Sequence, residues 1–287
     1  MTNRKRVLWP ALLIALLVLS ALTLAVAAFG RLRGSTSATK VNASPTAYVS
    51  TAKRSEYVRR SLLSPKLVWH LNALGDRLEK PGRERLSVTG TLSRAKDGQT
   101  EEVNAVWEFP QRLRLITRRG NESRILTFDG EQVKSGANAV DIAERDLVET
   151  LVYGSAEHFF AAQMQGRATR FLASRLRLDD GSTADYDGPY YEVYKVAEQI
   201  QTSFDQREQV RLYYFNSETL LLERVRYEVN RDGATVKVEE RLGGWTREQG
   251  QQVARRIERI ENGASVFVLT VRTAGFSRRA EDGMFGN

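Results

Sequence analysis

Residues 220–242 read LLLERVRYEVNRDGATVKVEERL, in which two runs of alternating apolar and polar side chains are joined at Asp232-Gly233. Asp-Gly pairs readily adopt the positive φ angles of a tight turn, so alternation on both sides of such a pair predicts a β-hairpin. Five apolar residues share one face of the predicted hairpin: Val225, Tyr227, Val229, Val236 and Val238. The stretch therefore predicts antiparallel strands with one apolar face.

The same turn signal recurs along the chain. Seven Asp-Gly or Asn-Gly pairs begin at residues 97, 129, 180, 187, 232, 262 and 282. Alternating runs predict about ten strands, at 86–92, 103–109, 112–115, 125–128, 190–200, 209–215, 220–229, 235–242, 253–261 and 265–273. Most of the folded part is therefore predicted to be a β-meander.

Two segments have helical periodicity instead. Ser64-Pro65 is typical of an N-cap followed by proline at the first helical position, and leucines then recur at helical spacing until Pro81-Gly82. Residues 141–164 predict one broken helix or two short helices split near Gly154-Ser155. A helical insert in a meander must pack on one face of the sheet. The predicted fold class is therefore α+β, with a highly curved antiparallel sheet, an unclosed β-barrel, wrapped around a helical plug or lid.

The N-terminus carries an export element, in which Arg4-Lys5-Arg6 precedes an uncharged apolar run at 7–28. The run is close to the ~20 residues that span a bilayer and is longer than a secretory h-region, which favours an uncleaved membrane helix. Ala25-Val26-Ala27 offers a cleavage site, so a cleaved signal stays open. The positive flank predicts that the folded part lies on the periplasmic side, anchored to the inner membrane or secreted after cleavage.

Composition divides the chain into four parts. Residues 1–33 are the predicted signal anchor or signal peptide, 34–60 a basic flexible tether, 61–276 the folded domain and 277–287 a loose C-terminal tail. The basic residues of 53–60 are predicted either to lie against anionic lipid headgroups or to form an ordinary solvated face.

The distribution of charge argues against a nucleic-acid partner. Of 43 basic and 35 acidic residues, 1–66 hold eleven basic and one acidic residue. The remainder therefore carries 32 basic and 34 acidic residues, which is close to neutral. A nucleic-acid-binding domain should be basic on its folded surface.

The sequence lacks the residues that most catalytic and metal sites need. It has no cysteine and only two histidines, His70 and His158. Neither has a second histidine or an acid at ligand spacing, so both are interpreted as surface or satisfied, partly buried side chains. No nucleotide-binding, hydrolase or zinc-protease motif is present. We therefore predict that the protein is not an enzyme and has no catalytic residues, metal or cofactor.

Short motifs follow one another in a recognisable order. The leading amphipathic helix is followed by WEFPQRLR at 107–114, FDG at 128–130, the helical insert, and NSETLL at 216–221 before a long hairpin. Over about 67–273 this order resembles the LolA/LolB/LppX/RseB superfamily, extracytoplasmic lipoprotein carriers and their relatives. The resemblance implies an unclosed β-barrel with a helical lid, whose apolar concave face accepts acyl chains.

The resemblance also implies which residues bind the lipid. The concave lining would be Trp107, Phe109, Leu113 and Leu115. The lid would be Leu147, Leu151, Phe159, Phe160 and Met164. The hairpin adds Val225, Tyr227 and Val236 to the predicted lipid-binding set. Phe109 stands where the carriers of the family keep an arginine.

Two functions remain open from the sequence. The first is a non-enzymatic cell-envelope protein that binds lipid acyl chains or lipoproteins in an apolar cavity of several hundred cubic ångströms, as a membrane-tethered carrier, acceptor or sensor. The alternative is a regulatory or scaffolding interaction domain that binds an envelope protein, with its cavity filled by side chains. Both would be held at the inner membrane by the N-terminal helix if that segment is not cleaved.

Overall fold

The segments with alternating apolar and polar residues form a long antiparallel sheet in the computed structural model. The structure describes residues 57–96, 98–136, 139–165, 169–177, 188–201, 206–279 and 283–285. The predicted membrane helix and most of the tether lie outside these residues, as do the aspartates at 97, 180, 187 and 282. Among the residues described, no helix has the length and hydrophobicity to span a membrane.

The described part contains three α-helices and fourteen strands. A 3-10 helix at Arg60–Leu62 precedes α1 (Pro65–Leu74), α2 (Ile142–Tyr153) and α3 (Ala156–Met164). The strands are β1 (Arg85–Arg94), β2 (Thr100–Glu108), β3 (Arg112–Arg119), β4 (Glu122–Phe128), β5 (Val133–Lys134), β6 (Thr169–Leu176), β7 (Tyr191–Gln201), β8 (Gln206–Asn216), β9 (Leu222–Arg231), β10 (Ala234–Gly243), β11 (Thr246–Glu248), β12 (Gln251–Val253), β13 (Arg256–Glu261) and β14 (Ala264–Ser277).

Twelve strands form one sheet in the order β5-β4-β3-β2-β1-β14-β13-β10-β9-β8-β7-β6, and β11 and β12 form a separate two-stranded ribbon. Most strands of this sheet lie beside their neighbours in the chain, and the two pairings between more distant segments are β1 with β14 and β10 with β13. The strands β5 and β6 lie at opposite edges, so the described sheet is unclosed. The α+β fold with an unclosed antiparallel sheet is confirmed.

The hairpin at 220–242 has the predicted register. Val236 lies opposite Val229, and Val238 lies opposite Tyr227. The prediction of one strand over 253–261 is wrong, because the chain leaves β12 at Val253 and enters a different sheet at Arg256.

The first helix is shorter than predicted. Ser64 accepts a hydrogen bond from the Leu67 amide, as an N-cap should, but α1 ends at Leu74 rather than before Pro81. Gly75 follows with a φ of 108°, and a Cβ there would lie 2.2 Å from the Gln251 side chain. The helix ends at Gly75 because only glycine fits both the backbone angle and this close approach.

The helical insert forms two helices split where predicted. Asp141 and Glu144 form a reciprocal capping box at the start of α2. Gly154 ends α2, and the Ser155 side chain accepts a hydrogen bond from the His158 amide to begin α3. Both helices pack against the same face of the sheet, here called the helix-covered face.

Two apolar clusters lie between the helices and the sheet. The cluster under α2, here called the α2 cluster, joins it to β1–β4 and β14 and is largely aliphatic. The cluster under α1 and α3, here called the α3 cluster, joins them to β7–β10 and contains most of the buried aromatic rings. Two residues of the tail that was predicted to be loose also make contacts, because Arg279 donates a hydrogen bond to the Phe109 carbonyl and Phe285 is buried.

Candidate functional site

All twelve residues of the predicted lipid-binding set lie in the two apolar clusters between the sheet and the helices. The α2 cluster contains Trp107, Leu113, Leu115, Leu147 and Leu151. The α3 cluster contains Phe109, Phe159, Phe160, Met164, Val225, Tyr227 and Val236. The structure therefore places the predicted lining opposite the predicted lid, and their role in lipid binding stays a prediction.

Two side chains of the sheet are hydrogen-bonded to the backbone of α2. The Trp107 indole Nε1 donates to the Leu151 carbonyl at 2.9 Å, and the Tyr213 hydroxyl donates to the Tyr153 carbonyl at 2.8 Å. Both bonds are directional and shielded from water, so they fix the position of α2 over the sheet.

Aromatic rings fill the space under α3. The Phe159 ring lies 5.0 to 5.4 Å, between centroids, from four other rings, those of Phe160, Tyr194, Tyr213 and Phe215. The His70 ring of α1 lies 4.3 Å from Phe215. Rings at these distances are in contact, so they leave no room for a guest between them.

The cavity observed between the helices and this part of the sheet is small. It has a volume of about 60 Å³ and is lined by residues that include Trp107, Leu151, Trp245 and Ile257. Ligand pockets usually have volumes of roughly 300–1,000 Å³. The predicted pocket of several hundred cubic ångströms is therefore absent at this place among the described residues, because the side chains of α2, α3 and the sheet already fill it.

A buried polar chain crosses the base of α3. Arg211 is fully buried, its guanidinium lies 4.8 Å from the Tyr153 ring and 4.7 Å from the Tyr227 ring, and it donates to Glu198 at 3.0 Å. Glu198 accepts a hydrogen bond from His158 at 2.9 Å. Although burial alone would lower the pKa of Arg211, the neighbouring tyrosines and carboxylates raise it above its ordinary value, so the group stays charged.

A second buried cation links α2 to strand β13. Arg259 of β13 donates to the Thr150 hydroxyl at 2.9 Å and to the Asp146 carbonyl at 3.3 Å. It also contacts the Tyr227 hydroxyl, which donates to Glu240 at 2.7 Å. Burial raises the pKa of Glu240, and nearby guanidinium groups only partly offset this.

Both histidines have satisfied partners, in agreement with the interpretation of the sequence. His70 is buried on α1, with Nδ1 2.9 Å from the Leu220 carbonyl and Nε2 3.1 Å from Glu192. The Gln111 amide lies 2.6 Å from the other ring nitrogen of His158. The described residues include no group of three or more histidines and carboxylates placed to hold a metal ion.

The buried ions were missed by the sequence analysis. Arg211 lies two residues before Tyr213 on β8, and Arg259 lies two residues after Ile257 on β13, so both are in phase with inward-facing side chains. This phase was the only available signal. It was overlooked because arginine is rarely buried without a partner, and the partners are far away in the sequence.

An open groove lies on the outer face of the sheet, opposite the α3 cluster. It has a volume of about 890 Å³ and crosses strands β7–β10 and β13. Its apolar floor includes Val210, Leu212, Tyr214 and Ile260. Outward-facing side chains of β6–β8 pack together beside Leu212 and Tyr214 in a small third cluster.

The groove carries charges of both signs, with a small basic excess. Its charged lining residues are Lys195, Arg226, Lys237, Arg241, Glu228, Glu239 and Glu258. Of these, Lys195 and Lys237 have no carboxylate within ion-pair distance among the described residues. Glu239 is held by three arginines, Arg224, Arg226 and Arg241, at 2.9, 2.6 and 2.5 Å. Partial burial raises the pKa of Glu239, but these guanidinium groups outweigh it and hold the pKa below its ordinary value.

Comparison with protein-family models finds no match, and comparison with curated proteins finds none either. Solved structures do match. A LolA superfamily protein from Nitrosomonas europaea aligns with a TM-score of 0.48 and 10% identity over 77% of this chain and 97% of its own. An outer membrane lipoprotein-sorting protein domain from Vibrio parahaemolyticus aligns with a TM-score of 0.45 and 9% identity over 77% and 94% of the two chains.

A DUF1329 family protein from Desulfovibrio piger aligns with a TM-score of 0.46 and 9% identity, again over 77% of this chain and 94% of its own. These matches are similarities of backbone arrangement and say nothing of a ligand for this chain.

Proposed function

We propose that this protein is a non-enzymatic interaction domain of the cell envelope, which binds a partner protein on its outer face and uses its helices as core. It acts outside the cytoplasm, tethered to the inner membrane by its N-terminal apolar segment. The observation that carries the proposal is the contrast between about 60 Å³ beneath the helices and about 890 Å³ on the outer face.

The energy of opening the helices supports this assignment. Besides smaller residues, α2 and α3 bury seven large apolar side chains: Leu147, Val148, Leu151, Val152, Tyr153, Phe159 and Phe160. At ~1.5–3 kcal/mol each, exposing them would cost roughly 10–20 kcal/mol. Burying one acyl chain of about sixteen carbons returns roughly 12 kcal/mol before the cost of association. A single chain therefore does not compensate for lifting both helices.

The chemistry of the outer groove indicates the kind of partner. The floor of Leu212 and Tyr214 fits apolar side chains, while Lys195 and Lys237 fit carboxylates. A protein segment that alternates apolar and acidic residues satisfies both. We expect such a segment to lie across the outer face of β8–β10.

Site-specific photo-crosslinking in cells tests this proposal. The full chain carrying benzoylphenylalanine in place of Leu212 should crosslink to one discrete envelope protein. The same group at Ile116, half-buried on the outer face of β3, should not. Lys195→Glu combined with Lys237→Glu should abolish the crosslink, because the groove then repels carboxylates. The assignment would be refuted if position 212 gave no crosslinked product, or if the product still formed when both lysines were replaced by glutamate.

Lipid binding is the second candidate function, and one observation favours it. The 60 Å³ cavity is apolar and lies where the predicted lid, at Leu151, meets the predicted lining, at Trp107. If only α2 moved, an acyl chain would enter at this point. A fatty acid with a photoreactive diazirine in its chain should then label α2 and β2 of the full chain in membranes, and an excess of unlabelled fatty acid should suppress the labelling. Labelling confined to the N-terminal segment would exclude this candidate.

A further inference from the structure

A cluster of exposed apolar side chains lies where the folded part of the chain begins. Leu62 is 65% exposed, Trp69 of α1 is 55% exposed and Phe171 of the edge strand β6 is 43% exposed. A tryptophan so exposed is costly in water, because its ring is mostly apolar. These residues are not part of the outer groove or of the helix-covered core.

Contacts between α1 and β6 bring Lys66 and Phe171 together. The Lys66 ammonium lies 4.8 Å from the centre of the Phe171 ring and 3.3 Å from the Ser174 hydroxyl. Trp69 is three residues after Lys66 and therefore lies beside it on α1. Leu62 is four residues before Lys66 in the chain, and nearby the Arg59 amide contacts the sulfur of Met164, at the end of α3. We call Leu62, Trp69, Phe171 and the basic residues among them the α1–β6 surface.

The charge of the α1–β6 surface is basic. It includes Arg59, Arg60 and Lys66, and only the last two are paired, with Glu79 and Glu192. Arg59 is exposed and has no carboxylate within ion-pair distance among the described residues. In the sequence, 53–66 hold five basic residues and one acidic residue. Apolar side chains surrounded by basic ones suit the interface of an anionic bilayer.

The position of the surface in the chain points to the same partner. Only about thirty residues separate the apolar run at 7–28 from Arg60. If the apolar run stays in the membrane, the α1–β6 surface is never far from the headgroups. Tethering of this kind makes even a weak contact effective.

We propose that the α1–β6 surface docks on the anionic lipid surface of the membrane to which the chain is tethered, with Leu62, Trp69 and Phe171 inserted among the headgroups. This docking orients the domain and leaves the outer groove free. It does not depend on whether the partner of the groove is a protein, or on whether the helix-covered face accepts a lipid.

The absence of cysteine allows a direct test with the full chain. Leu62→Cys, labelled with the environment-sensitive dye NBD, is reconstituted into phosphatidylcholine vesicles with or without about one-third phosphatidylglycerol. Thr235→Cys is the matched control. Thr235 is exposed on β10 and pairs with Asn230, at the end of the ten-residue strand β9 that is farther from Leu220 and α1, about 30 Å away.

The label at 62 should become brighter and blue-shifted in anionic vesicles, and lipids that carry a nitroxide should quench it, while the label at 235 stays unchanged. Trp69→Ser should reverse the shift. Arg59→Gln should weaken docking about five-fold, as expected for one basic residue near such a surface, and added salt should do the same.

Three results would overturn the proposal. The label at 62 could remain water-exposed in both kinds of vesicle, or it could respond as the label at 235 does. It could also become shielded in proportion to protein concentration without quenching by nitroxide lipid. The last result would instead identify a second copy of the chain as the partner of this surface.

Discussion

The two halves of the helix-covered face of the sheet are built in different ways. Under α2 the buried side chains are largely aliphatic, and they contact the helix mainly through apolar packing. Under α3 the buried side chains are aromatic and ionic, with Arg211, Glu198 and His158 joined in one chain. Aliphatic packing tolerates displacement, whereas buried ions demand fixed geometry. The comparison shows that α3 is fixed by buried ions, whereas α2 is fixed by apolar packing and by its hydrogen bonds to Trp107, Tyr213 and Arg259, and that both helices are core.

The largest expected effect comes from breaking the ionic half. Arg211→Ala leaves Glu198 buried without its cation, so we expect a loss of roughly 3–5 kcal/mol in the free energy of unfolding. Urea denaturation of the variant measures it. Arg226→Ala, which removes a partly exposed guanidinium from the outer face, is the control and should cost about 1 kcal/mol or less. Equal losses in the two variants would show that burial does not increase the contribution of Arg211 to the free energy of unfolding.

In the aliphatic half, a substitution should lower the free energy of unfolding by leaving a cavity rather than an unpaired ion. Leu113 is fully buried in the α2 cluster, so Leu113→Ala should cost roughly 2–5 kcal/mol, depending on how far α2 settles into the space. Ile125→Ala on the outer face should change the stability by about 0.5 kcal/mol or less. A value for Leu113→Ala near that of Ile125→Ala would mean that the α2 cluster is loosely packed.

Two tryptophans beside the same small cavity separate hydrogen bonding from packing. Trp107→Phe removes the indole N–H that donates to the Leu151 carbonyl. It should lower the free energy of unfolding by roughly 1–3 kcal/mol more than the loss of buried ring area alone would. Trp245 is the matched control, because its buried Nε1 has no hydrogen-bond partner in the described part of the chain. If Trp107→Phe and Trp245→Phe lower the melting temperature equally, the hydrogen bond from Trp107 to α2 contributes nothing to stability.

The smallest effect concerns pH. Burial lowers the pKa of His70, so the unfolded chain, in which histidine titrates near 6.5, takes up this proton first as the pH falls. Stability from neutral His70 is thus fully present above about pH 6.5 and decreases below it, by at most about 1.4 kcal/mol per pH unit. The stability gap between the wild type and His70→Gln should narrow from pH 7.5 to pH 5.5. A gap that widens would mean that folded His70 is charged.

Local patterns predicted much of the fold. The hairpin at 220–242 and the split at Gly154-Ser155 follow from turn chemistry and periodicity, which act over a few residues. The pairing of β1 with β14 does not, because nothing near Leu86 indicates that Phe276 will lie beside it. The edge strand β6 was missed, since its register shifts at Phe171 and Ala173 disturb the alternation.

The candidate site was predictable only in part. Which residues face inward follows from the alternation, so the predicted lining and lid do lie opposite each other. Whether they enclose a cavity depends on how the rings of Phe159, Tyr213 and Phe215 interlock, and that is decided by packing across distant strands. The same holds for Arg211, whose partners come from other strands.

Hydrogen exchange of the full chain in lipid nanodiscs tests the central claim most directly. If the helices are core, the amides of 142–164 should exchange as slowly as those of β8 and β9, and added fatty acid should leave them unchanged. Exchange at 142–164 that is much faster than in the strands, and that slows when fatty acid is added, would show that the helices form a lid over a lipid site and would contradict this account.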